Sequence, residues 1–225
     1  MSMPFYVPPE QMMKDRADFA RKGISRGRAL AALQFADGIV LVAENPSTSL
    51  RKISEIYDRI AFAGVGKFNE FDQLRVAGVR FADLKGYQFS RADVDARGLA
   101  NQYAQVISQA FTHDVKPLEV EILVAELGWT ASGDQLFRIM YDGTVIDERR
   151  FSAIGGDVEA IRTRLADRYR PGAAFDEAVK AAVQSLEIGD RRISHDELEV
   201  AVLQRDGERR CFRRIEIGSI GQILS

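Results

Sequence analysis

The order of strand-type and helix-type segments constrains the fold of this chain more than any other feature. Continuous or alternating apolar runs predict strands, and apolar residues spaced by three or four positions predict helices. The segments come in groups: a helix, several strands, two helices, several strands, two helices and two final strands. Strict alternation, which a doubly wound parallel sheet requires, is absent from this order. We therefore predict an α+β fold, a four-layer α/β/β/α sandwich of two antiparallel sheets with an N-terminal helix.

The predicted elements follow from these periodicities. Helices are predicted over residues 10–24, 68–78, 92–112, 158–169 and 175–186. Strands are predicted over residues 30–35, 39–43, 53–56, 60–65, 120–127, 136–141, 145–151, 198–203 and 211–217. Asp-Gly pairs at 37–38, 142–143 and 206–207 are typical hairpin turns and indicate antiparallel neighbours.

Composition and charge exclude several classes of function. The chain is 46% hydrophobic and 28% charged, which is typical of a globular protein. A formal net charge of -2 gives no basic excess for nucleic acid or for an anionic membrane. A single cysteine, Cys211, rules out an internal disulfide and favours a reducing compartment. We therefore expect a cytoplasmic protein that binds neither nucleic acid nor a membrane.

Residues 1–9 form an apolar opening that ends in two prolines. They lack the basic start and the small-residue cleavage site of a signal peptide. No later segment is rich in Pro, Gly or Ser, so no domain boundary is indicated. We expect an N-terminal segment over residues 1–9 and a single domain over residues 10–225.

Three catalytic or ligand-binding patterns are weak. Cys211 with His113 and His195 has the residue types of a cysteine hydrolase, but neither histidine lies in a known motif. Residues 64–67 end like a phosphate loop but lack its first glycine and its magnesium-binding hydroxyl. The glycine pair at 155–156 either binds an anion or forms a tight turn, and we favour the turn. No metal or cofactor is predicted.

Several segments carry a resemblance to a known family. Residues 50–59 read Leu-Arg-Lys-Ile-Ser-Glu-Ile-Tyr-Asp-Arg and match bacterial proteasome α subunits at nearly every position. Further matching segments are the opening residues and residues 18–21, 25–27, 42–47, 66–72, 141–143, 198–203 and 212–215. The chain therefore resembles a proteasome α subunit of the actinobacterial type over almost its whole length. This family has the fold of the N-terminal-nucleophile hydrolases.

The resemblance implies a role in a proteolytic particle. It implies that the chain forms a heptameric ring stacked on a ring of proteasome β subunits. It also implies that an ATPase ring docks on the α ring through its C-terminal tails and feeds protein substrates inward. The chain would then be a gating and docking subunit of a threonine-type endopeptidase complex.

The same resemblance argues against catalysis by this chain. Hydrolases of this fold use an N-terminal Thr, Ser or Cys, whose free amine is the base. Alignment with a catalytic β subunit places Arg28 at the nucleophile, Glu44 at the catalytic aspartate and Lys52 at the catalytic lysine. A guanidinium cannot act as the nucleophile, and a predicted helix precedes it. We expect no catalytic residue here.

The resemblance also implies two binding regions and an assembly surface. Lys52 matches the lysine that meets the carboxylate of an ATPase tail, Gly27 the glycine beside the tail, and Lys67 the pocket edge. The gate is expected to consist of Ser2, Met3, Pro4, Phe5, Tyr6, Val7 and Pro8. The first helix is expected to pack against a neighbouring α subunit.

One departure from the family affects the gate. Some α subunits carry a Tyr-Asp-Arg motif near the N-terminus, whereas the motif here is Tyr57-Asp58-Arg59, far downstream. It is therefore given no gating role. Two alternatives stay open: an autonomous hydrolase of the same fold, and an adaptor that forms rings without a catalytic partner.

Overall fold

The computed structural model describes residues 8–225 and shows helices and strands in the predicted groups. The helices are α1 (Pro9–Ser25), α2 (Phe68–Gln88), α3 (Ala96–His113), α4 (Val158–Arg168), α5 (Phe175–Leu186) and α6 (Ile217–Leu224). The strands are β1 (Leu30–Phe35), β2 (Gly38–Glu44), β3 (Ile53–Tyr57), β4 (Ile60–Gly66), β5 (Val120–Glu126), β6 (Gln135–Ile139), β7 (Val145–Glu148), β8 (Phe151–Ile154), β9 (Leu198–Gln204) and β10 (Phe212–Arg214).

The strands form two five-stranded antiparallel sheets, as predicted. Sheet A has the order β10-β9-β2-β1-β8, and sheet B has the order β3-β4-β5-β6-β7. Helices α4, α5 and α6 cover the outer face of sheet A, and α2 and α3 cover the outer face of sheet B. The predicted α/β/β/α sandwich with an N-terminal helix is confirmed.

Three apolar layers hold the sandwich together. Strand side chains alternate between the two faces of a sheet, so each buried strand serves two layers. In β1, Ala31 and Leu33 face the α4–α5–α6 layer, whereas Leu30 and Ala32 face sheet B. The layer between the sheets contains many alanines, among them Ala43, Ala61, Ala63, Ala125 and Ala201. Both faces of the central strands are therefore buried, which explains their continuous apolar runs.

Helix α1 lies against one end of sheet B and next to α3. Ala20 and Ile24 are its buried residues, and they pack with Tyr141. Arg16 ties α1 to α3: its guanidinium donates to the backbone carbonyls of Phe111 at 2.6 Å and Asp114 at 2.7 Å. Carbonyls in the last turn of a helix lack partners within the helix, so Arg16 caps α3.

The predicted end of α2 at Gly78 is wrong, because the helix continues for ten residues to Gln88. Gly78 lies inside the helix, where it faces Tyr103 and Leu99 of α3. A Cβ atom on Gly78 would lie 1.8 Å from the hydroxyl oxygen of Tyr103. The glycine therefore marks a helix–helix contact rather than a helix end. Helix α3 starts at Ala96, four residues later than predicted, where the Asp95 carboxylate accepts from the Gly98 N–H at 2.6 Å.

The single strand predicted over residues 145–151 is also wrong. Strand β7 ends at Glu148 and pairs with β6 in sheet B, whereas β8 starts at Phe151 and pairs with β1 in sheet A. Between them, Arg149 and Arg150 are exposed and end the pairing. The apolar run therefore crosses from one sheet to the other at two charged residues.

The C-terminal hairpin is confirmed, but its second strand is shorter than predicted. Strand β10 ends at Arg214, and helix α6 starts at Ile217, which the prediction had placed in the strand. Two glycines, Gly218 and Gly221, lie in α6 and hide the helical pattern. Ile220 is buried and fixes α6 on the α4–α5 layer.

Candidate functional site

Lys52 lies in the loop before β3, where a short cluster of charged residues joins sheet A to sheet B. Its ammonium donates to the backbone carbonyl of Arg28 at 2.6 Å, and the side chain is half-buried. Burial lowers the pKa of Lys52 to about 8; Glu44 and Glu199 oppose this shift, and Arg28 adds to it. Within residues 8–225, no carboxylate lies within 4 Å of the Lys52 ammonium, so it forms no ion pair there.

Gly27 precedes the carbonyl that Lys52 contacts, at the point where α1 turns into β1. Its N–H donates to the carbonyl of Ile24 at 2.9 Å. A Cβ atom on Gly27 would lie 2.8 Å from the Val65 side chain and 3.2 Å from the backbone nitrogen of Gly66. Only glycine allows the α1–β1 connection to lie this close to the end of β4.

Lys67 follows Gly66 directly and occupies the N-cap position of α2, without a capping hydrogen bond from its side chain. Its ammonium lies 3.6 Å from the Glu70 carboxylate, which also accepts from Lys116 at 2.7 Å. Lys67 is exposed, and in the described part of the chain no hydrogen bond or ion pair joins it to Lys52. The backbone therefore brings Gly27, Lys52 and Lys67 to one region, while the two ammonium groups point to different partners.

Arg28, Glu44 and Lys52, the three positions aligned with a catalytic centre, also come together. The Arg28 guanidinium donates to the Glu44 carboxylate, which accepts a second bond from Arg191. Burial alone would raise the pKa of Glu44, but the hydrogen bonds from Arg191 and Arg28 outweigh burial and lower it. Arg28 follows α1 in a continuous chain, so its nitrogen is a peptide amide. Among these three positions, Arg28 and Glu44 form an ion pair, and none supplies a hydroxyl or thiol nucleophile or a free α-amine.

A buried carboxylate, Glu199 on β9, holds this region in place. It accepts from the backbone N–H of Lys52 at 2.9 Å and from the side chains of Asn45 at 2.7 Å and Arg214 at 2.6 Å. A buried carboxylate is stable only with such partners. Because β9 belongs to sheet A and Lys52 leads into sheet B, Glu199 fixes the lysine backbone relative to both sheets.

Sequence reasoning missed Glu199, Asn45, Arg191 and Arg214. For Glu199 a signal existed, since it is an acidic residue inside the apolar run of residues 198–203. The sequence gives no such signal for Arg191, because this residue lies in a polar loop. Only the fold brings it to Glu44.

The weaker catalytic patterns do not come together. The recorded partners of the Cys211 thiol are the Arg59 guanidinium and two backbone carbonyls, not a histidine. Burial raises the pKa of the Cys211 thiol, which opposes the reactive thiolate. His113 ends α3 and His195 precedes β9, and both are exposed. These residues are therefore not a catalytic set.

The glycine pair at 155–156 forms a turn, as favoured from the sequence. Both residues have positive φ angles, 73° and 59°, which a side chain would strain. The N–H of Gly155 donates to the Glu121 carboxylate at 3.2 Å, so a group of the same chain already occupies this position. Glu121 in turn accepts from Arg138 at 2.5 Å.

Two general features of residues 8–225 bear on function. None of the helices in that range is long and apolar enough to cross a membrane. No group of three or more His, Cys, Asp or Glu side chains in that range is placed to hold a metal ion. The predicted gate residues 2–7 lie outside the described residues, and Pro8 directly precedes α1.

Known proteins match the chain over nearly its full length. Residues 24–203 match the family model described as "Proteasome subunit". A "Proteasome subunit alpha" of Acidimicrobium ferrooxidans is 60% identical over 224 residues, covering 100% of this chain and 97% of the relative. A "Proteasome subunit alpha" of Thermomonospora curvata is 55% identical over 227 residues, covering 100% and 99%. The chain therefore belongs to the proteasome subunit family, within the group of bacterial α subunits.

Proposed function

We propose that this chain forms the outer heptameric rings of a 20S proteasome core, where it gates the entry of protein substrates and docks an ATPase activator. Its ring stacks on β subunits, which supply the threonine nucleophile. Residues 10–225 act as one domain and residues 1–9 as the gate segment, in the cytoplasm. Family membership supports assembly with other proteasome subunits, and the charge cluster around Lys52 supports docking.

One observation carries the docking proposal: Lys52 is a half-buried cation that pairs with no carboxylate among residues 8–225. It uses one N–H on the Arg28 carbonyl, and an ammonium has three donors. An incoming C-terminal carboxylate supplies the missing negative charge. Such a charge-assisted contact contributes about 1.5–3 kcal/mol. Because one contact is weak, several tails on one ring are needed for stable docking.

The position of Arg28 supports a non-catalytic role. It occupies the place of the nucleophile, donates to Glu44, and follows the 17 residues of α1 in the chain. Removing α1 by processing would still leave an arginine at the new terminus. The cluster that holds a nucleophile in a β subunit is therefore available here for a partner.

The experiment that tests the proposed function is co-expression of this chain with a β subunit from the same organism. Native mass spectrometry measures the composition of the product, and a fluorogenic peptide assay measures the activity of the particle and of each chain alone. We expect a particle with equal numbers of both chains and peptide hydrolysis that requires β.

Two results would contradict the proposal. Peptide hydrolysis by this chain alone, lost in a variant of one of its own residues, would favour the autonomous hydrolase. Rings of this chain that never bind β would favour the adaptor. Either result leaves the fold unchanged and changes the function.

A further inference from the structure

A cavity of about 700 Å³ lies outside the sandwich, on the layer formed by α4, α5 and α6. It is bounded by these three helices and by the loop that follows α5. Its charged wall residues are Arg164, Arg168, Lys180, Arg192 and Glu187. The rest of the wall is aliphatic or small and polar, with no aromatic side chain among the lining residues.

Arg164 lines this cavity and is anchored by α5. Its Nε–H donates to the backbone carbonyl of Ser185 at 2.8 Å, which fixes the guanidinium between α4 and α5. Its Nη2 atom is buried and has no hydrogen-bond partner within residues 8–225. A buried charged donor without an acceptor is costly, and native structures rarely leave one unpaired. Because Nη2 is buried, an anion in the cavity would meet the rest of the Arg164 guanidinium rather than this atom.

The single carboxylate of the wall is already used. Glu187 is 9% exposed, and it accepts from Arg192 at 3.1 Å and from the backbone N–H of Ile193 at 3.2 Å. Within the described chain, Arg164, Arg168 and Lys180 have no carboxylate within 4 Å. Four cations therefore face one occupied anion, and the cavity carries an excess of positive charge that attracts anions.

We propose that this basic cavity binds a small, multiply charged ligand through its phosphate groups. The planar guanidinium of arginine matches phosphate oxygens, and three arginines with one lysine require several negative charges close together. Adjacent phosphates in a chain supply that charge density, whereas successive side-chain carboxylates along an extended peptide point to opposite sides of the backbone. The volume is in the range of small-molecule sites, and the absence of aromatic walls favours recognition of the phosphates over a base.

The test is a titration of the full chain with inorganic tripolyphosphate at physiological salt, followed by calorimetry and by thermal unfolding. We expect saturable binding of one tripolyphosphate per chain and a rise in melting temperature, because a ligand that binds only the folded state stabilises it. Arg164→Gln should weaken binding about tenfold or more, as expected for one charge-assisted contact. Lys180→Gln and Arg192→Gln should each weaken it several-fold.

Arg80→Gln is the matched control, since Arg80 is an exposed arginine on α2, in the opposite helix layer. Its affinity for tripolyphosphate should equal that of the parent. Arg164→Gln also removes the contact to Ser185. If that variant does not fold, the test rests on Arg192→Gln, because the Arg192 side chain is 76% exposed. An unchanged affinity in a folded Arg192→Gln variant would overturn the site.

Two further results would overturn the proposal. Binding that never saturates, or that weakens equally in Arg80→Gln, would show a general attraction of anions to arginines. Tighter binding of a tetraglutamate peptide than of tripolyphosphate would assign the cavity to an acidic segment of a protein instead.

Discussion

At the scale of single residues, the proposed docking role depends on how Lys52 is held. Its backbone is fixed by Glu199 and its ammonium leans on the Arg28 carbonyl. A cation held this way is pre-organised for a carboxylate, because little of its side-chain freedom remains to be lost on binding.

Lys52→Ala should weaken activation by the ATPase ring. Loss of about 1.5–3 kcal/mol per tail corresponds to about tenfold to hundredfold weaker binding of each tail. The measurement is the ATPase concentration that gives half-maximal stimulation of peptide hydrolysis by the assembled particle. Lys14→Ala, at an exposed lysine of α1, is the control and should behave like the parent. Equal stimulation of both variants would remove Lys52 from the docking site.

The stimulation should also depend on pH. Lys52 has a pKa of about 8, so it is charged below that pH and loses its proton above it. A carboxylate binds the charged form, so affinity should fall by up to about tenfold per pH unit well above pH 8. Lys52→Arg keeps its charge and should flatten this fall. A parent profile that does not change between pH 7 and 9 would contradict the assigned pKa or the contact.

At the scale of elements, the sequence predicted most helices and strands, because their apolar periodicity reflects real burial. Helix α5 has the predicted bounds, Phe175–Leu186. The two wrong predictions have local causes. Gly78 is a helix–helix contact and does not end α2, and the chain passes from sheet B to sheet A at Arg149 and Arg150. Helix α6 carries two glycines that lower helix propensity, and it depends on burial of Ile220. Tertiary packing determines these helix and strand bounds, and it is not visible in a single sequence.

The α2–α3 contact gives a test of packing. Gly78→Ala should destabilise the chain by about 1–3 kcal/mol, because its Cβ would overlap the Tyr103 hydroxyl. Gly218→Ala in α6 meets no atom within 4 Å, so it should be neutral or stabilise by up to about 1 kcal/mol. Chemical denaturation measures both changes.

A second substitution locates the overlap. Tyr103 is buried, and its hydroxyl has no partner within residues 8–225, so Tyr103→Phe should cost little. In the Gly78→Ala background, Tyr103→Phe should recover part of the lost stability. If the two changes are simply additive, the clash lies elsewhere.

The N-terminal segment is an element whose function was predicted from sequence alone. If residues 2–8 gate the pore, deleting them should speed hydrolysis of peptides by the assembled particle, since a barrier to entry is removed. The measurement is the rate without any ATPase. Deleting only the exposed Ser225 at the other end is the control. An unchanged rate after deletion of residues 2–8 would remove the gate assignment.

At the scale of the whole molecule, the chain presents apolar surface at α1 that its own core leaves uncovered. Met12 and Phe19 are each nearly half exposed, and Val115 beside them is fully exposed. Exposed apolar groups that cluster mark contact surfaces. This surface supports the proposed packing of α1 on a neighbouring subunit.

Phe19→Ser should therefore reduce assembly. We expect native mass spectrometry of the co-expressed chains to show fewer full particles and more free subunits. Ile188→Ser, at an apolar residue with 60% exposure that follows α5, is the control and should assemble normally. Full assembly of Phe19→Ser would place the subunit contact on another face.

The whole candidate site was only partly predictable. The resemblance predicted Lys52, Gly27 and Lys67, and the backbone brings these positions to one region. Glu199 is joined to Asn45 and to the Lys52 backbone across about 150 positions of the chain, and to Arg214 across 15. Long-range pairing of this kind is a property of the folded chain and has no local pattern.

The ion pairs at Glu44 and Glu199 affect how the stability of this region changes with temperature. Charged groups lose hydration free energy as temperature rises, so the cost of burying them falls. Networks such as Arg28–Glu44–Arg191 therefore weaken less on warming than a neutral contact of similar strength. The end of the sandwich around Lys52, where we propose that a partner docks, should therefore resist loosening on warming better than it would with neutral contacts alone.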